Sequence, residues 1–198
     1  MKLFYSPNSP YARKARLAAR FAGVGERVEE INVSPLKSPD NVLLSYGPGR
    51  KVPSLLTDAG TFLVESPIIC RHLDAQGNGS LYPASNESAL EIEGLTHALI
   101  DALYWRNHEK RRPESERSPS FIEEEAERAR RCYDWLEKLG GRLDGPVTIA
   151  QIGAGAALGY ADFRHPDDAW RNGRPALAAW FEAFSQRPEM RETFPPGD

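Results

Sequence analysis

The chain has 198 residues, 40% of them hydrophobic and 10% aromatic, enough to bury a core as one domain or two small ones. Its 25 basic and 28 acidic residues are mixed in sign and leave a formal net charge of −3, which excludes a broad nucleic-acid-binding surface. Cys70 and Cys132 lie far apart with no Cys or His at metal-ligand spacing; they read as reduced thiols in a cytoplasmic protein with no metal. After Met1-Lys2 the apolar run is only Leu3-Phe4-Tyr5, and no stretch approaches the roughly 20 residues of a membrane span.

Period-2 and helical patterns alternate through the first third. Lys2 to Tyr5 reads as a strand, Pro10 to Val24 as a helix, Val28 to Val33 as a strand and Asp40 to Tyr46 as a short helix. Arg13, Lys14, Arg16 and Arg20 give the first helix a basic face of the kind that is ordinarily solvated. "PSLLT" and "TFLV", joined by Asp58-Ala59-Gly60, read as a hairpin. The next helix starts at "ESPIICRHL", with Ser66 placed to cap it and Pro67 in its first turn. The order βαβαββα suits a small sheet flanked by helices.

Asp74 to Ala84, rich in Gly, Asn, Ser and Pro, has no periodicity and reads as a linker. The expected division is 1–75, a linker over 76–84, and an all-helical domain over 85–198. Asn86 to Arg112 forms one long helical pattern, with Trp105 read as core. Ser118 to Leu139 forms another, with Ser120 and Glu123 as a capping box and Gly140-Gly141 as the stop. "VTIAQIGAGAALGYADF" is apolar nearly all round, and its three glycines each cost a helix about 1 kcal/mol, so it belongs at the packed centre of the second domain. Thr148 and Gln151 are spaced to cap its start reciprocally. A last helix carries Leu177, Trp180, Phe181 and Phe184.

The chemistry concentrates at Ser9-Pro10-Tyr11-Ala12, where a strand meets a helix N-terminus. In a thiol redox protein this corner would read Cys-Pro-Tyr-Cys, with the sulfur anion favoured by unpaired N–H groups and the helix dipole. With serine and alanine in those places, the corner suits a sulfur supplied by a ligand, and the Ser9 hydroxyl can donate to it. Tyr5 and Ser6 are rival hydroxyls, and Ser9 is also a good helix cap.

Ser9-Pro10, Lys37 in "LKSPDNVLL", Lys51-Val52-Pro53 in "GRKVPSLL", Glu65-Ser66 in "ESPII", the "LYP" joint and the "TIAQI" helix start follow one another in an order that resembles the glutathione transferase superfamily. Its serine-type members, such as the tau class and similar bacterial proteins, are the nearest in pattern. The resemblance implies a thioredoxin-like N-terminal domain followed by an all-helical domain, a homodimer, glutathione as co-substrate, and no metal or nucleotide. It implies that Glu65 takes the glutathione ammonium and Ser66 the neighbouring carboxylate. Lys37 and Lys51 face the glycyl carboxylate, and Val52 pairs through its backbone ahead of a cis Pro53. The Ser9 hydroxyl holds the thiolate for attack on a small apolar electrophile. Tyr11, Tyr104 and His108 are its candidates for the electrophile pocket. A non-catalytic glutathione-binding or protein-interaction module, or a glutathione-dependent isomerase or lyase, fits the same residues. Glutamine at 151 departs from the family's usual Thr-x-x-Asp, with an effect expected on folding alone.

Overall fold

The computed structural model describes residues 1–196. Strands β1 (Lys2–Tyr5), β2 (Glu29–Asn32), β3 (Ser54–Leu56) and β4 (Phe62–Val64) form one sheet in the order β2-β1-β3-β4. β2 lies parallel to β1, as the crossover through helix α1 (Pro10–Phe21) requires, whereas β3 runs antiparallel to both β1 and β4. Leu3 and Leu55 face each other across the central pair and are fully buried. Helix α2 (Ser66–Ala75) packs beside α1 and completes a thioredoxin-like layer.

The expected helix over Asp40 to Tyr46 is only a single 3-10 turn, Val42–Ser45, because Pro39 and Gly47-Pro48 leave it no room to extend. Its Leu43 is buried while Val42 and Leu44 stand exposed. Asp74 lies in the last turn of α2 and not beyond it. Its carboxylate accepts from the Leu81 N–H at 3.0 Å and the Tyr82 N–H at 3.1 Å, which ties down the glycine-rich segment that follows.

The second half is helical: α3 (Glu87–Lys110), α4 (Pro119–Lys138), α5 (Ile149–Arg164), α6 (Pro175–Ser185) and a short α7 (Pro188–Glu192) that follows the helix expected to be the last. Helix α5 is the buried axis, and its Thr148–Gln151 capping box is present. Its glycines mark close approaches on three sides. A Cβ at Gly153 would meet Thr96 of α3, one at Gly155 the Phe184 ring of α6, and one at Gly159 the Arg13 guanidinium of α1. The cap of α4 is Ser118, whose Oγ accepts from the Phe121 N–H; Ser120 sits inside the first turn, because Pro119 already occupies the first helical position.

The basic face of α1 is not solvated. Arg13, Lys14 and Arg16 are buried, because α1 is covered by α3, α5 and α7 on the side away from the sheet. Each finds a partner: Lys14 pairs with Glu93 of α3 at 2.8 Å, Arg16 with Glu30 of β2 at 2.8 Å, and Arg13 donates to the Met190 carbonyl at 3.0 Å. Cys70 and Cys132 are free and buried. No helix among the described residues is long and apolar enough to cross a membrane, and none of their acidic, His or Cys side chains cluster as a metal site would require.

Candidate functional site

A cleft of about 1040 Å³ opens where the C-terminal edge of β1, the loop before β3 and the start of α2 face the cleft side of α3. Ser9, Tyr11, Lys37, Lys51, Val52, Pro53, Glu65, Ser66, Tyr104 and His108 all line it, so the residues singled out along the sequence converge on one site. Of the rival hydroxyls, Ser6 lines the cleft and accepts from the Ser34 hydroxyl at 3.0 Å. Tyr5 does not line it; its ring lies under the Arg16 guanidinium at 4.4 Å.

Ser9 serves as a cap and still faces the cleft. Its Oγ accepts from the Ala12 N–H at 3.2 Å, which uses one lone pair and leaves the hydroxyl proton to donate elsewhere. Pro10 has no N–H, and the Arg13 N–H goes to the Ser9 carbonyl at 2.9 Å, so Tyr11 supplies the remaining first-turn N–H. The first turn holds no acidic residue, and the corner keeps the positive end of the helix dipole.

At the opposite wall Ser66 does not cap α2, contrary to expectation. Glu65 is the N-cap residue and Ser66 the first helical one, because the chain turns at Glu65 with φ of 71° and ψ of 123°. That left-handed conformation is strained for glutamate, and such strain concentrates at binding sites. The Ser66 Oγ is buried with no hydrogen-bond partner among the described residues, as is the Asn8 Oδ1 at the same cleft. A buried hydroxyl left unpaired costs about 1 to 3 kcal/mol, so these atoms are suited to a polar ligand. The Val52–Pro53 peptide is cis, and Val52 precedes β3 with its backbone N–H and C=O unengaged among the described residues. A second cis bond, Ser34–Pro35, had no sequence signal.

The α3 wall is aromatic. Tyr11 meets His97 and Tyr104 edge-on, with centroids at 5.7 and 5.4 Å, and Tyr104 stacks on His108 at 6.2 Å. Trp105 was expected in the core; it is 47% exposed and lines the cleft instead, because the core side of α3 at this level is filled by Leu103 and Arg106. The Tyr11 hydroxyl donates to Asp101 Oδ1 at 2.5 Å. Burial first, and then the Asp101 carboxylate, hold that hydroxyl protonated far above the usual tyrosine range. Its proton is therefore committed to Asp101 and is not available to a sulfur.

His97, Asp101 and Arg111 were missed, yet with Tyr104 and His108 they recur at steps of 4, 3, 4 and 3, one face of a helix. That stripe is polar, so a search for hydrophobic periodicity passes over it. Arg50, beside Lys51, adds a further cation to the mouth of the cleft.

Residues 3–81 match the family model "Glutathione S-transferase, N-terminal domain", and residues 119–183 match "Glutathione S-transferase, C-terminal domain". The chain is 30% identical to the GST-like protein YibF of Escherichia coli (strain K12), covering 99% of both chains. Among solved structures it resembles a glutathione transferase family member from Pseudomonas fluorescens Pf-5 with bound glutathione, at 34% identity, a TM-score of 0.88 and 98% of each chain. It also resembles a glutathione S-transferase from Methylobacillus flagellatus KT with glutathione bound, at 27% identity, a TM-score of 0.90 and 98% of each chain. With both domains matched in order and the likeness running along the whole chain, this protein belongs to the glutathione S-transferase family.

Proposed function

We propose that the protein conjugates glutathione to a small electrophile whose apolar body rests on Tyr104 and Trp105. The observation that carries this reading is the cleft itself: the Ser9 hydroxyl at one wall and, at the other, the buried Ser66 hydroxyl with no partner among the described residues. Glutathione-bound structures of relatives with the same fold support it. Glu65 receives the ammonium, and Ser66 with its helix-start N–H receives the adjacent carboxylate. Val52 offers its backbone to the cysteinyl unit as an edge strand would, and Lys51 and Lys37 face the glycyl carboxylate. The Ser9 O–H and the Tyr11 N–H then donate to the sulfur.

A free thiol of pKa about 8.5 is only a few per cent ionised at neutral pH, and lowering it by about two units takes about 2.7 kcal/mol. One hydroxyl donor plus a helix N-terminus supplies a stabilisation of that order. The thiolate attacks the electrophilic carbon, and its proton has already left to solvent. Serine acts as a donor and not as a base.

Ultraviolet titration of bound glutathione tests this. Ser9→Ala raises the bound thiol's pKa and leaves glutathione affinity within a few-fold; an unchanged titration removes Ser9 from the mechanism. Tight binding with no turnover of any chromogenic electrophile would leave a glutathione-binding module.

The same reading includes a cytoplasmic homodimer. Val42, Leu44, Tyr46 and Val64 are exposed apolar side chains on neighbouring segments, with Tyr46 stacked on Phe62 at 5.2 Å, and such a patch suits a second copy. A monomer in sedimentation velocity at micromolar concentration would refute the dimer.

A further inference from the structure

The cleft changes character along α3. Near Asp101 its wall is aromatic, whereas one and two turns beyond Tyr104 it carries His108 and Arg111, roughly 6 and 10 Å further along the helix axis. From the end of α5 come Arg164, whose guanidinium lies over the Phe163 ring at 3.9 Å, and the phenol of Tyr160.

Tyr160 is 3% exposed, and its hydroxyl oxygen accepts from the Asn107 side-chain amide at 3.3 Å, leaving its own proton unassigned at the cleft. Arg111 and Arg164 both lie close enough to act on that phenol, each opposing the effect of burial, which pushes it up to about 12. The phenol therefore stays a proton donor. Arg112 is neutralised by Glu109 at 3.4 Å and Glu116 at 3.3 Å. Arg111 has no carboxylate partner among the described residues. A cation at the end of α3 also complements the helix dipole, but Lys110 meets that need from outside the cleft lining.

From this arrangement we infer that the electrophile carries an anionic group, a carboxylate, received by Arg111 and the Tyr160 hydroxyl while its apolar body lies on Tyr104 and Trp105. The inference rests on the glutathione-conjugating reading and names its substrate class. A chloronitrobenzoate with chlorine para to the carboxylate has the required shape. The glutathione thiolate forms a C–S bond at the ring carbon bearing chlorine, the C–Cl bond breaks, and chloride leaves with the electron pair.

Calorimetry with the S-aryl glutathione conjugate of that benzoate and with its carboxamide counterpart tests the subsite without needing turnover. The wild-type chain binds the carboxylate conjugate about tenfold tighter than the carboxamide. Arg111→Leu brings the ratio to within about twofold. Tyr160→Phe, which keeps the ring in place, lowers it about threefold. Equal affinities in the wild type, or a ratio that neither substitution moves, overturn the subsite while glutathione binding persists. Failure of glutathione itself to bind overturns the parent reading and the subsite together, so the two failures are told apart.

Discussion

The Lys14–Glu93 pair offers the most direct quantitative test of how the cleft walls are held. Lys14 is fully buried on α1 and Glu93 is 7% exposed on α3, with Nζ to Oε1 at 2.8 Å and the Tyr82 hydroxyl donating to the same oxygen at 2.8 Å. Tyr11 and Asp101, which meet in the cleft, stand on the same two helices. Lys14→Met leaves the Glu93 carboxylate desolvated with only Tyr82 as partner, at a cost of about 3 to 5 kcal/mol. In a chain of this length each kcal/mol moves Tm by about 2 to 4 °C, so a fall of about 6 to 20 °C is expected. Lys14→Met combined with Glu93→Leu removes both charges, and stability returns to within about 1 kcal/mol of wild type or exceeds it. Urea denaturation of the wild type, the single variant and the double variant at one pH measures this. A single variant losing under about 1 kcal/mol would mean that water reaches the Glu93 carboxylate, and the account of α1 as a buried basic face would fall.

Ser66→Ala removes a buried hydroxyl with no partner among the described residues, so the ligand-free chain should hold or gain stability while glutathione affinity drops about tenfold; unchanged affinity in calorimetry separates Ser66 from the ligand. Glu65→Gly relaxes a residue at φ of 71°, which should add about 1 kcal/mol to stability yet weaken glutathione binding; a loss of stability would contradict the strain. His165 is buried, with Nε2 donating to the Leu103 carbonyl at 2.9 Å and Nδ1 without a partner among the described residues. Burial, then Arg106, lowers its pKa to about 4, below its ordinary value, so the unfolded chain takes up the proton first. Stability is therefore full above about pH 6.5 and lost as pH falls toward 4, by at most about 3 kcal/mol from this group. His165→Gln should flatten that slope in urea midpoints between pH 7 and 4.5, and an unaltered slope would remove His165 as its source.

The site was legible where recognition depends on short segments of chain. Ser9-Pro10, Lys51-Val52-Pro53 and Glu65-Ser66 each announce a helix start or a loop before a strand, and all of them line the cleft. Roles that depend on packing were not legible. Ser66 looked like a cap until the backbone at Glu65 turned left-handed and took the capping position from it. Tyr11 could not be known to spend its proton on Asp101, 90 residues away. Trp105 has the composition of a core residue, and only the arrangement of α3 against α4 and α5 turns it into the cleft.

The sequence alone determined the period of each main element, the reciprocal cap at Thr148 and Gln151, and the need for a close-packed central helix around Gly153, Gly155 and Gly159. These rest on interactions within a few residues, or on a cost that only packing can offset. Tertiary structure decided which charges go inside. Arg13, Lys14 and Arg16 are placed as a solvated face would be, and they are buried because Met190, Glu93 and Glu30 arrive from distant parts of the chain to receive them. Burying a charge is unfavourable unless a partner meets it, and that partner is fixed by the fold and not by the neighbouring sequence.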